Sequence, residues 1–237
     1  MPAAARPQSA AADFLVEADR AILCGGDETL ATMMHRQARF PVLRWVGLLW
    51  LAVWIPITAK NYGWVNFLHE CDVAVILTVI GLWSSNALLL SSQAVGVLVP
   101  DFLWCVDAGW RLFLGHHLIG GTEYMWDAQF PLVARLLSLF HVVLPIVLIY
   151  AVARTGYDRR GIWLQMGIFA ALLAASRFTH AVLNINFAFL DPILHRAWGS
   201  AATHFAVIMA GALVAFLPAH LIFRRFLPDV ESSDAVR

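Results

Sequence analysis

Six apolar runs, at 41–59, 65–83, 86–107, 131–153, 161–181 and 199–223, constrain this 237-residue chain more than any other feature. Each approaches or exceeds the roughly 20 residues that a helix needs to cross about 30 Å of hydrocarbon. In that medium a segment must satisfy its own backbone hydrogen bonds, which leaves helices or a closed barrel, and runs this long and continuous are helical. Composition agrees, with 60% hydrophobic and 14% charged residues, where a soluble domain has about half and about a quarter. The expected fold is therefore all-α: a polytopic bundle of six transmembrane helices over 39–226. A cytoplasmic tail, 1–38, precedes it, and a disordered tail, 227–237, follows.

Within the first tail Phe14, Leu15, Ala18, Ala21 and Ile22 recur at helical spacing before Gly25-Gly26, which predicts a short amphipathic helix at the bilayer edge. No charged start with an apolar core and a small-residue cleavage site is evident, so the first span is expected to serve as the signal. Arg36, Arg39, Arg44, Arg154, Arg159, Arg160, Arg224 and Arg225 flank the spans on one side, against Lys60, Arg111 and Arg196 on the other. The positive-inside bias then places both termini in the cytoplasm, and an inner membrane is the expected location. Trp64, Trp104, Trp110, Trp126 and Trp198 gather near the predicted outer ends, as an interfacial belt does. Zero net charge argues against a nucleic-acid partner. The lipid bilayer is the expected surrounding.

Once direction is assigned, the polar residues fall at one depth. His69, Glu70, Cys71 and Asp72 occupy the outer half of span two, and Asp101, Cys105 and Asp107 that of span three. Arg135, Ser138 and His141 lie in span four, Arg177, Thr179 and His180 in span five, and Thr203 and His204 in span six. Gln93, Gln165 and His220 stand as isolated polar residues in an otherwise apolar inner half. Charges inside a membrane cost roughly 2.5–3.5 kcal/mol each even on lenient scales, so they should face inward and pair. The spacing suggests Asp72 or Asp101 with Arg135, and Asp107 with Arg177. Two external segments, 108–130 and 182–198, read as caps over this layer, and Asn184 and Asn186 lie in the second.

Such a layer is expected to form an outward-facing polar pocket within the membrane, and two chemistries suit it. Cys71, next to His69 and Asp72 and with His141 on span four, has the composition of a thiolate nucleophile with an imidazole base. His69, Asp72 and Asp101 would orient the pair, and Arg135 or Arg177 would hold a phosphate or carboxylate of a lipid or amphiphilic substrate. A metal- or haem-binding membrane subunit, with a metal held by His69, His141, His180 or His204, is the rival, although no His-x-x-x-His or His-Glu-x-x-His spacing exists and no cofactor is predicted. The paired His116-His117 reads as a solvated loop pair. A transporter or small-molecule binding protein is a further alternative, but no two-half symmetry is visible and the apolar inner half predicts no continuous polar path.

Trp64-Val-Asn-Phe-Leu-His-Glu-Cys-Asp72, Ala94-Val-Gly-Val-Leu-Val-Pro-Asp101, Trp104-Cys-Val-Asp107, Ser138-Leu-Phe-His-Val-Val-Leu-Pro145, Gly156-Tyr-Asp-Arg-Arg160 and Asn184-Ile-Asn-Phe187 together resemble a family of uncharacterised bacterial integral membrane proteins. More remotely, six helices with a Cys in the second and a His in the fourth resemble the YwaF-like membrane proteins and their relatives that hydrolyse or transfer lipid acyl groups. That resemblance implies a compact helical fold, with Cys71 as nucleophile and His141 as its base.

Overall fold

The computed structural model describes residues 39–230. The amphipathic helix expected in 1–38 lies outside them, as does 231–237. The described residues form an all-helical bundle: α1 Leu43–Tyr62, α2 Glu70–Ser84, α3 Ala87–Leu114, α4 Leu132–Thr155, α5 Gly161–Ser176 and α6 Ala201–Phe226. Of these, α1, α3, α4 and α6 are long and apolar enough to cross a membrane.

The other two are shorter. At 15 and 16 residues, α2 and α5 rise only about 22 and 24 Å. Both lose length at the same end of the bundle, where residues 65–69 and 177–181 were expected to be helical. Gly63, at φ +82°, ends α1, and Trp64–Leu68 follows as a 3-10 turn. The α-helix resumes at Glu70, with Glu70 and Asp72 in its first turn, where the helix dipole favours acids. Beyond α5, Asn184 and Asn186 take left-handed backbone (φ 42° and 51°), which no α-helix continues through.

α4 bends. Leu132–Leu137 passes into Phe140–Thr155 through i→i+3 bonds, Ser138 N–H to Arg135 O and His141 N–H to Ser138 O. Pro145, one turn on, cannot donate to His141 O, so that carbonyl is left for another partner.

Side-chain contacts fix which ends meet. At one end the Trp83 indole donates to Arg44 O, Asp158 N–H to Ser91 Oγ, and Tyr157 N–H to Pro228 O. Arg39, Arg44, Arg154, Arg159, Arg160, Arg224 and Arg225 all belong to this arginine-rich end. At the other, capped end, Asn186 reaches Leu68 and the loop after α3 folds back on Asp107. Consecutive helices are thus antiparallel.

α3 is the axis. It touches α2, α4, α5 and α6, and its Leu90, Ala94, Val95 and Val97 are buried. Small residues allow close approach: Gly81 packs on Leu90, and Gly161 on Ser91. Around the outside, Trp163, Val214, Ile146, Phe102 and Leu49 are exposed, the surface a lipid-facing bundle presents.

The tail expected to be disordered from 227 is held over its first four residues. Besides the Tyr157–Pro228 bond, Arg159 makes a two-pronged ion pair with Asp229, at 2.9 and 2.5 Å. In the same turn the Arg160 guanidinium holds the Asp158 carboxyl below the usual carboxylate range.

Candidate functional site

The expected polar layer exists at the capped end, but its members pair differently from the spacing. Asp107 does not meet Arg177. Its carboxylate, at the last turns of α3, accepts the backbone N–H groups of Leu118, Ile119 and Gly120 at 2.7–2.9 Å, His117 Nδ1 at 2.9 Å, and the Thr122 hydroxyl. His117 is therefore a loop anchor rather than a solvated residue, and α3 itself continues through 108–114 into the expected cap. A single carboxylate staples the loop.

The second cap repeats this device. Asp191 accepts Ile193 N–H, Leu194 N–H and Arg196 N–H and the Trp198 indole, and these bonds, Leu194's foremost, hold its carboxyl below the usual range. Asn184 closes the turn before it, accepting from Phe189 N–H and Leu190 N–H at 2.9 Å. His204 has both nitrogens engaged, Nε2 donating to Phe187 O at 2.9 Å and Nδ1 accepting from Trp198 N–H. It too anchors a loop.

The two arginines also serve loops. Arg135 donates to Met125 O at 3.0 Å, and Arg177 donates to Ala188 O at 2.7 Å and lies over the Phe189 ring. Among the described residues neither makes an ion pair, and each is taken up by a loop carbonyl instead. Arg177 and His180 lie beyond the end of α5 and are exposed, so neither belongs to the buried layer. Among the described residues, no three His, Cys, Asp or Glu converge as metal ligands would.

The interior of the layer is built by α2, α3, α4 and α5. Asp72 is buried and accepts from the Asn66 amide at 2.5 Å. Asn186 bridges three segments: its oxygen accepts Glu70 N–H at 3.0 Å, and its amide donates to Leu68 O at 2.7 Å and Ser176 Oγ at 3.1 Å. Glu70 in turn accepts from Gln165 Nε2 at 2.7 Å, and Gln93 Nε2 lies 3.3 Å from Gln165 Oε1 and 2.8 Å from Ser92 Oγ. Gln93 and Gln165, which look isolated along the chain, are thus joined to the acid layer. Gly96 makes room for them, since a Cβ there would stand 2.3 Å from Gln165 Nε2. A glycine one turn from a glutamine in an apolar helix is the signal that marks this crossing. With Ser91 bonded to the 157–160 turn, hydrogen-bonding side chains border the core from one end of the bundle to the other.

Asp101 differs from every other acid here. It is 1% exposed, and neither carboxylate oxygen has a hydrogen-bond partner. Its Oδ1 lies 4.0 Å from His141 Nε2, outside hydrogen-bond range but within reach of an ion pair. His141 is set firmly. Its Nδ1 is 2.7 Å from Ser138 O, a carbonyl that only accepts, so Nδ1 carries the hydrogen and a neutral ring turns the lone pair of Nε2 toward Asp101. Trp104 stacks on the imidazole at 4.6 Å and donates its own N–H to Tyr124 OH at 3.1 Å, and Phe140 covers the other side at 4.1 Å.

Compared with known proteins, the chain matches no family model, no curated protein and no solved structure. Its chemistry rests on these side chains.

Cys71 is half-buried and packs on the core, and no hydrogen bond joins its thiol to His141. The thiol beside His141 is Cys105, whose Sγ lies 3.7 Å from the His141 carbonyl freed by Pro145. Both thiols are free, so no disulfide links them. His69 stands half-buried at the N-cap position of α2, with no capping bond from its side chain, and Ser138 contributes its carbonyl rather than its hydroxyl to His141.

Proposed function

We propose that the protein is a multi-pass inner-membrane protein, arginine-rich end in the cytoplasm, whose buried Asp101–His141 pair binds and releases a proton in the course of its work. One observation carries this reading: a carboxyl group inside the bundle with no hydrogen-bond donor, facing an imidazole lone pair at 4.0 Å. A carboxylate left alone at this depth is costly. A proton held by the pair, on Asp101 or on His141 Nε2, removes the lone charge or converts it into an ion pair. The surroundings favour a proton over a larger ligand, because Asp101 is enclosed and aromatic rings cover both faces of His141. Glu70, bonded to Gln165, supplies a second acid on the same side.

On this reading the protein belongs with proton-coupled transporters or acid–base membrane enzymes. The acyl-transfer alternative, with Cys71 attacking a lipid or amphiphile, would need the thiol to reach His141 Nε2, the atom that faces Asp101. Trp104 provides the test, since an imidazolium quenches an indole stacked on it. In lipid nanodiscs, tryptophan emission should titrate with pH in a component that Trp104→Phe removes and Asp101→Asn displaces along the pH axis. A Trp104 component indifferent to Asp101→Asn would refute the pair.

A further inference from the structure

The arginine-rich end carries a groove of about 510 Å³ between the start of α5 and the last turns of α6. Its wall is apolar, formed by Ile162, Leu213 and Leu217, and its rim is basic, formed by Arg159, His220 and Arg224. None of these residues takes part in the Asp101 site. The rim donors are unequal. Arg159 is committed to Asp229 through Nε and one terminal nitrogen. Arg224, one turn beyond His220 on α6, makes no ion pair among the described residues. His220 is fixed from behind, because the buried Tyr157 hydroxyl lies 2.6 Å from its Nδ1. With the phenol donating, the imidazole hydrogen sits on Nε2, toward the groove.

A basic rim above an apolar, lipid-facing wall is complementary to one molecule in particular, an amphiphile with an anionic head. We infer that this groove binds an anionic phospholipid, its phosphate held by Arg224 and His220 Nε2–H with Arg159 beside them, and an acyl chain laid along Leu213, Leu217 and Ile162. Charge complementarity selects the head group, and the apolar wall separates a lipid from a free phosphate. The Arg159–Asp229 pair places the start of the C-terminal tail at the same rim, so the bound lipid would also lie against 227–230.

Trp163 lines the groove and reports on it. In nanodiscs of phosphatidylcholine containing a minor fraction of brominated lipid, brominated phosphatidylglycerol should quench the Trp163 contribution, defined by Trp163→Phe, more strongly than brominated phosphatidylcholine does. Arg224→Gln should reduce that preference about fivefold, the effect of one basic residue at an anionic surface, and His220→Gln should reduce it further. Arg224 lies at the rim with no ion pair among the described residues, so Arg224→Gln should keep the wild-type unfolding temperature in phosphatidylcholine, whereas His220→Gln also gives up the bond to Tyr157 and is read below its own unfolding temperature. Equal quenching by the two lipids overturns the proposal, as does a preference unchanged in the double variant. Competition by millimolar inorganic phosphate as effective as by phosphatidylglycerol would show a small-anion site and overturn the lipid assignment.

Discussion

Gly96→Ala is the substitution whose outcome depends most on the buried crossing of α3 and α5. In an ordinary helix interior this change stabilises by about 0.5–1 kcal/mol, because alanine has less backbone freedom to lose. Here the added methyl would lie 2.3 Å from Gln165 Nε2 and 2.6 Å from its Cδ. Gln165 must then move, and it is buried with its amide donating to Glu70 and its oxygen near Gln93. Overpacking of this kind costs about 1–3 kcal/mol, and leaving a buried polar partner unsatisfied costs about 1–3 kcal/mol more. The sign therefore inverts, to a net loss of about 1–5 kcal/mol. Reversible unfolding by denaturant in detergent micelles measures it, with helicity as readout. Gln165→Ala alone should also destabilise, by stranding Glu70, yet Gly96→Ala added to it should cost almost nothing because the clash is gone, a strong departure from additivity. A Gly96→Ala variant as stable as the parent, or a double variant whose cost is the sum of the two, would refute the crossing.

The caps and the thiols yield three more expectations. Asp191 has a depressed folded-state pKa, so its contribution to the second cap is complete above the unfolded value near about 4 and is lost as pH falls through the lower folded value. Trp198, bonded to that carboxylate, should change emission over this acid range, and Asp191→Asn should abolish the change. Asp107→Ala should release the first cap, so that the amides of Leu118, Ile119 and Gly120 exchange with deuterium at least tenfold faster while those of α3 around Leu90 stay protected; unchanged exchange would show that the loop is held by something else. A lipid-like electrophile should leave Cys71 unlabelled in folded protein, and rapid labelling that depends on His141 would restore the acyl-enzyme reading.

Hydropathy made the helices legible, since each apolar run overlaps one, and Asp101 and His141, placed at one depth by the sequence, stand 4.0 Å apart. Azimuth and loop path were not legible. Asp107 and Arg177 look like a pair by depth, yet each is met first by loop backbone, Asp107 by three N–H groups and Arg177 by the Ala188 carbonyl. Loops of irregular conformation leave no periodicity to read, so carboxylates that serve as loop anchors resemble carboxylates that await a cation. The Glu70–Gln165–Gln93 chain was hidden for another reason: its members are 95 and 72 residues apart, and only Gly96 hints that a side chain crosses there. Cys71 and His141 share a depth without sharing a hydrogen bond, which is why layout alone suggested a dyad.

The proton-sharing pair is tested most directly by infrared difference spectroscopy of the protein in nanodiscs across a pH titration. A carboxyl C=O band should change together with an imidazole ring band. Asp101→Asn should remove the carboxyl component and shift the midpoint of the imidazole one, and His141→Gln should remove the imidazole component and shift the carboxyl midpoint. Two bands that titrate independently, or a carboxyl signal that survives Asp101→Asn intact, would contradict a shared proton at this site.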